Sequence, residues 1–98
     1  MQGKFHDQLT ERLMRAICSL QTPEECSSFL EDLCTIAEIK AMAQRLEVAR
    51  MLEKHMVYSD IVAATGASTA TISRVNRALN YGADGYKLVL DRVDGEER

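Results

Sequence analysis

Tryptophan is absent from this 98-residue chain, and proline occurs once, at Pro23. Without tryptophan and with 46% apolar residues, the core must be built from aliphatic side chains, chiefly Leu, Ile, Val, Met and Ala. Cysteine is scarce: Cys18, Cys26 and Cys34 are odd in number and show no C-x-x-C spacing. That excludes a disulfide framework and predicts reduced thiols that pack as small hydrophobes. Their eight-residue spacing fits no zinc pattern, and His6 and His55 stand alone, so no metal site and no cofactor is expected. No apolar run approaches the ~18 residues of a membrane span, and the first twenty residues carry charges throughout, unlike a signal peptide. The expectation is a soluble, cytoplasmic protein that does not engage membranes. Catalytic signatures are missing too: no Ser/His/Asp set, paired carboxylates, P-loop or Gly-rich phosphate motif is present. Cys34 with the distant His55 is the only nucleophile-like pair, and no enzyme is expected.

A chain of this length allows one domain with a modest core, of a size often completed by a second copy. The net charge of −3 taken alone disfavours nucleic acid, but its distribution is uneven. Residues 1–39 carry three basic and seven acidic side chains, residues 40–82 six basic and three acidic, and residues 83–98 three basic and five acidic. A central segment of opposite sign to its flanks points to a local anionic partner.

Helix signals run from end to end, with no strand pattern. Phe5, Leu9, Leu13, Ala16, Ile17 and Leu20 recur at helical spacing as one apolar stripe. Thr22-Pro23-Glu24-Glu25 combines an N-cap threonine, a proline at the first helical position and a glutamate at the third, and so predicts a helix start. Cys26, Phe29, Leu30 and Leu33 would be the apolar positions of that helix. Thr35-Ile36-Ala37-Glu38 repeats the capping box and opens the longest helix, to about His55. Its expected core positions are Ile39, Met42, Ala43, Leu46, Ala49 and Leu52, with Val48 and Met51 widening the stripe. Ser59 is expected to cap a short helix through about Thr65, Gly66 to end it, and Ser68 or Thr69 to start the next, to about Asn80. Residues 81–85 read as a loop in which Asp84 caps a last helix holding Tyr86, Leu88, Val89, Leu90 and Val93, before a charged, frayed tail from Asp94 to Arg98. The fold class is therefore all-α, with about six helices.

Residues 58–80 carry the functional signal. A short helix, a glycine turn and a second helix make a helix-turn-helix when the crossing is locked by apolar residues. Ile61, Ala67, Ile72, Val75 and Leu79 fall at the locking positions, and Gly66 at the turn. The opposite face of the second helix holds Ser68, Thr69, Ala70, Thr71, Ser73, Arg74, Asn76 and Arg77, with no acid among them. Small residues at its N-terminal end let a helix approach the major groove, hydroxyls meet phosphates or base edges, and arginines meet phosphate or guanine. Ser59, at the expected start of the first helix, would offer backbone N–H groups to a phosphate. Double-stranded DNA is the partner this pattern implies. The alternative is a protein-interaction module on the same scaffold, its acidic ends facing a basic partner.

From Thr35 onward the chain resembles the Trp-repressor-like family, and within it the YerC/YecD branch. The carriers are Arg45-Leu46-Glu47-Val48-Ala49, Ser59-Asp60-Ile61-Val62 and Gly66-Ala67-Ser68-Thr69-Ala70-Thr71-Ile72-Ser73-Arg74. The resemblance covers about residues 10–93. It implies an intertwined helical homodimer, paired through residues 1–57 and 84–93, that regulates transcription by offering two reading heads to a pseudo-palindromic site. It implies that Thr69, Ala70 and Ser73 meet base edges, and that Arg45, Thr71 and Arg74 match residues that hold the corepressor tryptophan. Thr35, Val75 and Ala78 complete a candidate effector pocket. Here the chain departs from the repressor, which has glycine and serine where Val75 and Ala78 stand. A valine occupies space the indole needs, so tryptophan is not expected as effector, and another small ligand in a reshaped pocket stays open.

Overall fold

The computed structural model describes residues 7–95. Phe5 of the expected first stripe, the lone His6, and residues 96–98 of the charged tail lie outside the described residues. Six helices are found among them: α1 (Gln8–Cys18), α2 (Pro23–Leu33), α3 (Ile36–Glu53), α4 (Tyr58–Thr65), α5 (Thr69–Tyr81) and α6 (Gly85–Gly95). No strand occurs among the described residues, and no helix is long and apolar enough to cross a membrane. The chain divides into two compact units, one ending at Ile39 and one beginning at Lys40.

The first unit is organised by its caps. Asp7 accepts the Thr10 N–H at 2.7 Å and starts α1. Thr22 Oγ1 accepts the Glu25 N–H at 3.1 Å and Pro23 takes the first helical position of α2. The returning arm differs from the expected box, because the Glu25 carboxylate accepts the N–H of Gln21 at 2.9 Å, one residue upstream of the cap. The third start is fully reciprocal: Thr35 Oγ1 accepts the Glu38 N–H at 3.1 Å and the Glu38 carboxylate accepts the Thr35 N–H at 2.8 Å. Despite their amphipathic sequences, α1 and α2 bury no residue. Leu9, Ile17, Leu33 and Ile36 are 81%, 44%, 52% and 71% exposed.

The Thr35 backbone N–H, and then its side chain, hold the Glu38 carboxyl below the usual 4.5. A carboxyl lowered by folding contributes stability above that value and loses it as pH falls through its folded value. Part of the acid-limb loss of thermal stability below pH 4.5 is therefore expected to vanish in Glu38→Gln. An unchanged acid limb in that variant would show that the cap carries no proton linkage.

The second unit contains the core. Val48, Ala49 and Met51 of α3, Ile61 of α4, Ala67 of the turn, Ile72 and Val75 of α5 and Leu90 of α6 form one buried cluster, flanked by Leu52, Met56, Val62 and Tyr86. This corrects the expected core face of α3. Met42 and Leu46 are 37% and 41% exposed, whereas Val48 and Met51, expected only to widen the stripe, are buried. The reason is that α3 is apolar on more than one side, and α4 to α6 cover Val48, Ala49 and Met51 most completely, with Leu52 packed at the edge. α3 stops at Glu53, two residues before the expected end. His55 takes a left-handed φ of 61° just beyond it, and its N–H donates to Leu52 O at 2.9 Å.

The turn between α5 and α6 depends on glycine at a close approach. A Cβ at Gly82 would lie 2.3 Å from the Ala78 carbonyl oxygen. Asp84 does not take the extended backbone of an N-cap; its φ is 63°, and α6 begins with Leu88 N–H donating to Asp84 O at 3.1 Å.

Candidate nucleic-acid interface

α4 and α5 meet across three residues, Gly66, Ala67 and Ser68. Gly66 has φ 74° and donates its N–H to Val62 O at 2.8 Å, ending α4. Ala67 is 2% exposed and belongs to the core. Ser68 then caps α5: its Oγ accepts the Thr71 N–H at 3.1 Å, and its hydroxyl lies 3.1 Å from Thr71 Oγ1. The expected locks are all buried, with Ile61 and Ile72 at 0%, Val75 at 2% and Leu79 at 6% exposure. A side chain at Gly66 meets no atom within 4 Å, so the turn demands its backbone and not its small size. Gly66→Ala is expected to cost about 1–2 kcal/mol, the strain of an L-residue in the left-handed region, read as a lower denaturation midpoint. A midpoint equal to the parent's would show that the turn relaxes at no cost.

The face of α5 opposite its locks is polar and open. Ser68, Thr69, Ala70, Ser73, Arg74 and Arg77 are exposed, and Thr71 is half-buried beside its Ser68 partner. No acid occurs anywhere along α5. Its N-terminal turn adds the partial positive charge of unpaired N–H groups to the two arginines. Asn76 is half-buried and accepts from Asn80 Nδ2 at its carbonyl and side-chain oxygens, 2.9 and 3.0 Å away.

Ser59 does not cap α4, as the sequence suggested. The helix starts at Tyr58, Val57 holds the cap position in extended conformation, and no side chain closes it. Ser59 lies within the first turn, exposed. The physical cause is that Val57 already accepts the N–H groups of Asp60 and Ile61, at 3.1 and 3.2 Å.

One of the candidate effector residues, Ala78, lines a cavity. An apolar cavity of about 470 Å³ is lined by Leu46, Ala78, Ala83, Gly85, Tyr86 and Val89. Ala78 is its one member from the expected set. Val75 lies in the core, Thr71 pairs with Ser68, Arg45 and Arg74 are exposed, and Thr35 caps α3 in the other unit. No group of three or more His, Cys, Asp or Glu suited to a metal ion occurs among the described residues, and the three cysteines are free.

Two residues were not anticipated from the sequence. Gln44 of α3 donates from Nε2 to the Thr65 carbonyl at 3.1 Å. Thr65 in turn donates its hydroxyl to Ile61 O at 2.7 Å and accepts the Ala67 N–H on the same oxygen at 3.1 Å. A threonine just before the glycine that ends a helix was the one visible signal, since its hydroxyl has two local backbone partners within reach.

A short helix, a left-handed glycine, a buried alanine and a second helix with buried locks and a polar outer face define a helix-turn-helix domain. The chain belongs to the Trp repressor family: the family model described as Trp repressor protein matches residues 8–94. It is 56% identical, over 99% of its own length and 89% of the relative's, to a Bacillus subtilis (strain 168) protein called "Uncharacterized protein YerC". Among solved structures it is similar to a TrpR-like protein from Eubacterium eligens ATCC 27750, with TM-score 0.88 and 54% identity over 92% of this chain and 93% of that one. It is also similar to a proposed Trp repressor from Staphylococcus aureus, with TM-score 0.87 and 45% identity over 91% and 89% of the two chains.

Proposed function

We propose that the chain is a sequence-specific DNA-binding regulator of transcription that acts as a homodimer. The observation that carries this reading is the division of α5 into two faces. Ile72, Val75 and Leu79 are buried, while Thr69, Ala70, Ser73, Arg74 and Arg77 stand exposed on a helix without acids. Family membership supports it. In this reading Ser68 and the N-terminal end of α5 approach the major groove. Thr69, Ala70 and Ser73 meet base edges, Thr71 sits beside Ser68, and Arg74 and Arg77 contact phosphate or guanine. Ser59 and the N–H groups around it face a phosphate of the backbone.

The exposed apolar residues of α1, α2 and the start of α3 support the dimer. Two helices with no fully buried residue repay little of the entropy of ordering them, and a second copy of the chain supplies the missing cover. Two α5 helices would then enter successive major grooves about 34–36 Å apart.

The position of Val75 supports regulation without tryptophan. It fills its own place in the core and locks the reading head directly, and Arg45, Thr71 and Arg74 are not among the residues lining the apolar cavity that Ala78 borders. Any effector would be a small ligand of another class.

The test is to incubate the purified protein with sheared DNA of its own genome, with and without 1 mM-scale tryptophan (roughly the weak-binding end of ligand affinities), and to sequence what is retained. A few enriched fragments sharing a pseudo-palindrome, the same in both arms, are the expected result. Enrichment only with tryptophan would overturn the role given to Val75. No enrichment in either arm would favour the protein-interaction reading.

A further inference from the structure

The orientation of a recognition helix is set by the few residues that join it to the helix before it, and here that joint carries a polar tether. We propose that Gln44 and Thr65 are positioning residues of the reading head, which fix the entry of α5 through a relay from α3 to the turn. This rests on the DNA-binding reading above.

The relay has three links. Gln44 Nε2 donates to Thr65 O at 3.1 Å, in a half-buried setting and across 21 positions of sequence. The last carbonyls of a helix have no partner within it, so this bond satisfies a group that the turn would otherwise leave unpaired. Thr65 Oγ1 donates back to Ile61 O at 2.7 Å, anchoring the hydroxyl to the last turn of α4. The same oxygen accepts the Ala67 N–H at 3.1 Å. Ala67 is the buried residue directly before Ser68, the cap of α5. The turn is therefore held at two points: at its start by Gln44 through the Thr65 carbonyl, and at its middle residue by the Thr65 hydroxyl through Ala67.

The apolar locks do not make this tether redundant. Ile61, Ile72 and Val75 bury α5 against α3 and α4, but contacts between aliphatic side chains are non-directional. Hydrogen bonds constrain angle as well as distance, and a base-reading helix needs its first turn placed within fractions of an ångström. The tether lies wholly within the unit beginning at Lys40 and needs no ligand, consistent with Val75 replacing one.

The experiment uses the full-length protein and three variants. Gln44→Met and Thr65→Val keep shape and remove the donor or hydroxyl, while Thr65→Ser keeps the hydroxyl and loses only a methyl. Amide hydrogen exchange at Ala67 and the first turn of α5 is read without DNA, and affinity is read on a fragment recovered by the genomic selection. In Gln44→Met and Thr65→Val, exchange should rise; affinity should fall about fivefold to tenfold in Gln44→Met, the worth of one net hydrogen bond in an equilibrium constant, and at least as far in Thr65→Val, which loses two. Thr65→Ser should match the parent in both. Unchanged exchange in Gln44→Met and Thr65→Val overturns the tether. Raised exchange with unchanged affinity overturns its role in reading DNA. A parent that retains no DNA, with exchange still raised in the variants, overturns the DNA reading and the positioning role with it, while the tether itself stands.

Discussion

Replacing Arg74 and Arg77 together by alanine is expected to lower DNA affinity by at least about a hundredfold at physiological salt and to leave the fold intact. In the proposed reading each arginine supplies charge-assisted contacts worth about 1–3 kcal/mol, and the proposed dimer presents each twice. Both side chains are exposed and neither is among the buried residues of α5, so no packing is lost and the helical circular dichroism should match the parent's. Salt dependence adds a second reading. Each phosphate contact removed lowers the slope of log affinity against log salt by about 0.9. The single variants separate the roles: loss of a phosphate contact weakens all sequences evenly, and loss of a base contact relaxes discrimination at one position. A double variant that binds DNA like the parent, with the same salt slope, would mean that this face of α5 does not meet DNA.

Ile72→Ala is expected to have the largest effect on stability, about 2–5 kcal/mol, the usual cost of emptying a fully buried aliphatic site. Ile72 is 0% exposed and sits among Val48, Ala49, Met51, Ile61 and Val75. A domain of this size has only about 5–15 kcal/mol to lose, so the denaturant midpoint should drop by a large fraction. Ser73, the next residue, is exposed on the other side of the helix, and Ser73→Ala should change stability by no more than about 0.5 kcal/mol while weakening DNA binding. Two adjacent residues with opposite consequences would establish the two-faced α5. If Ser73→Ala destabilised as much as Ile72→Ala, the division of its faces would be wrong.

The helix-turn-helix was legible because its requirements are local. Gly66 must take a positive φ, and does. Ile61, Ala67, Ile72, Val75 and Leu79 follow helical spacing on either side of it, and all are buried. The Thr35–Glu38 box was legible for the same reason, its two bonds spanning three residues. The buried side of α3 was not legible, since apolar residues lie on several of its faces and periodicity cannot rank them. Leu46 and Met42 fit the helical pattern as well as Val48 and Met51; which pair is covered is decided by α4 to α6. Ser59 misled because a serine near a helix start is a strong cap signal, while the backbone of Val57 had already set the cap two residues earlier. Gln44 was invisible because a side chain that bonds a backbone carbonyl 21 residues away leaves no pattern in the sequence.

The buried cluster runs from Val48 to Leu90 and joins helices that follow one another directly in the chain. Contacts between sequence neighbours such as α4 with α5 and α5 with α6 close at little entropic cost, and helical units of this kind form within microseconds to milliseconds. In the proposed dimer, the exposed apolar residues of α1 and α2 are covered only when two chains meet, an encounter whose rate depends on concentration. Assembly is therefore expected to proceed in two kinetic phases: a fast one, independent of dilution, that completes the reading head, and a slower, second-order one that brings two reading heads to the spacing at which they act together.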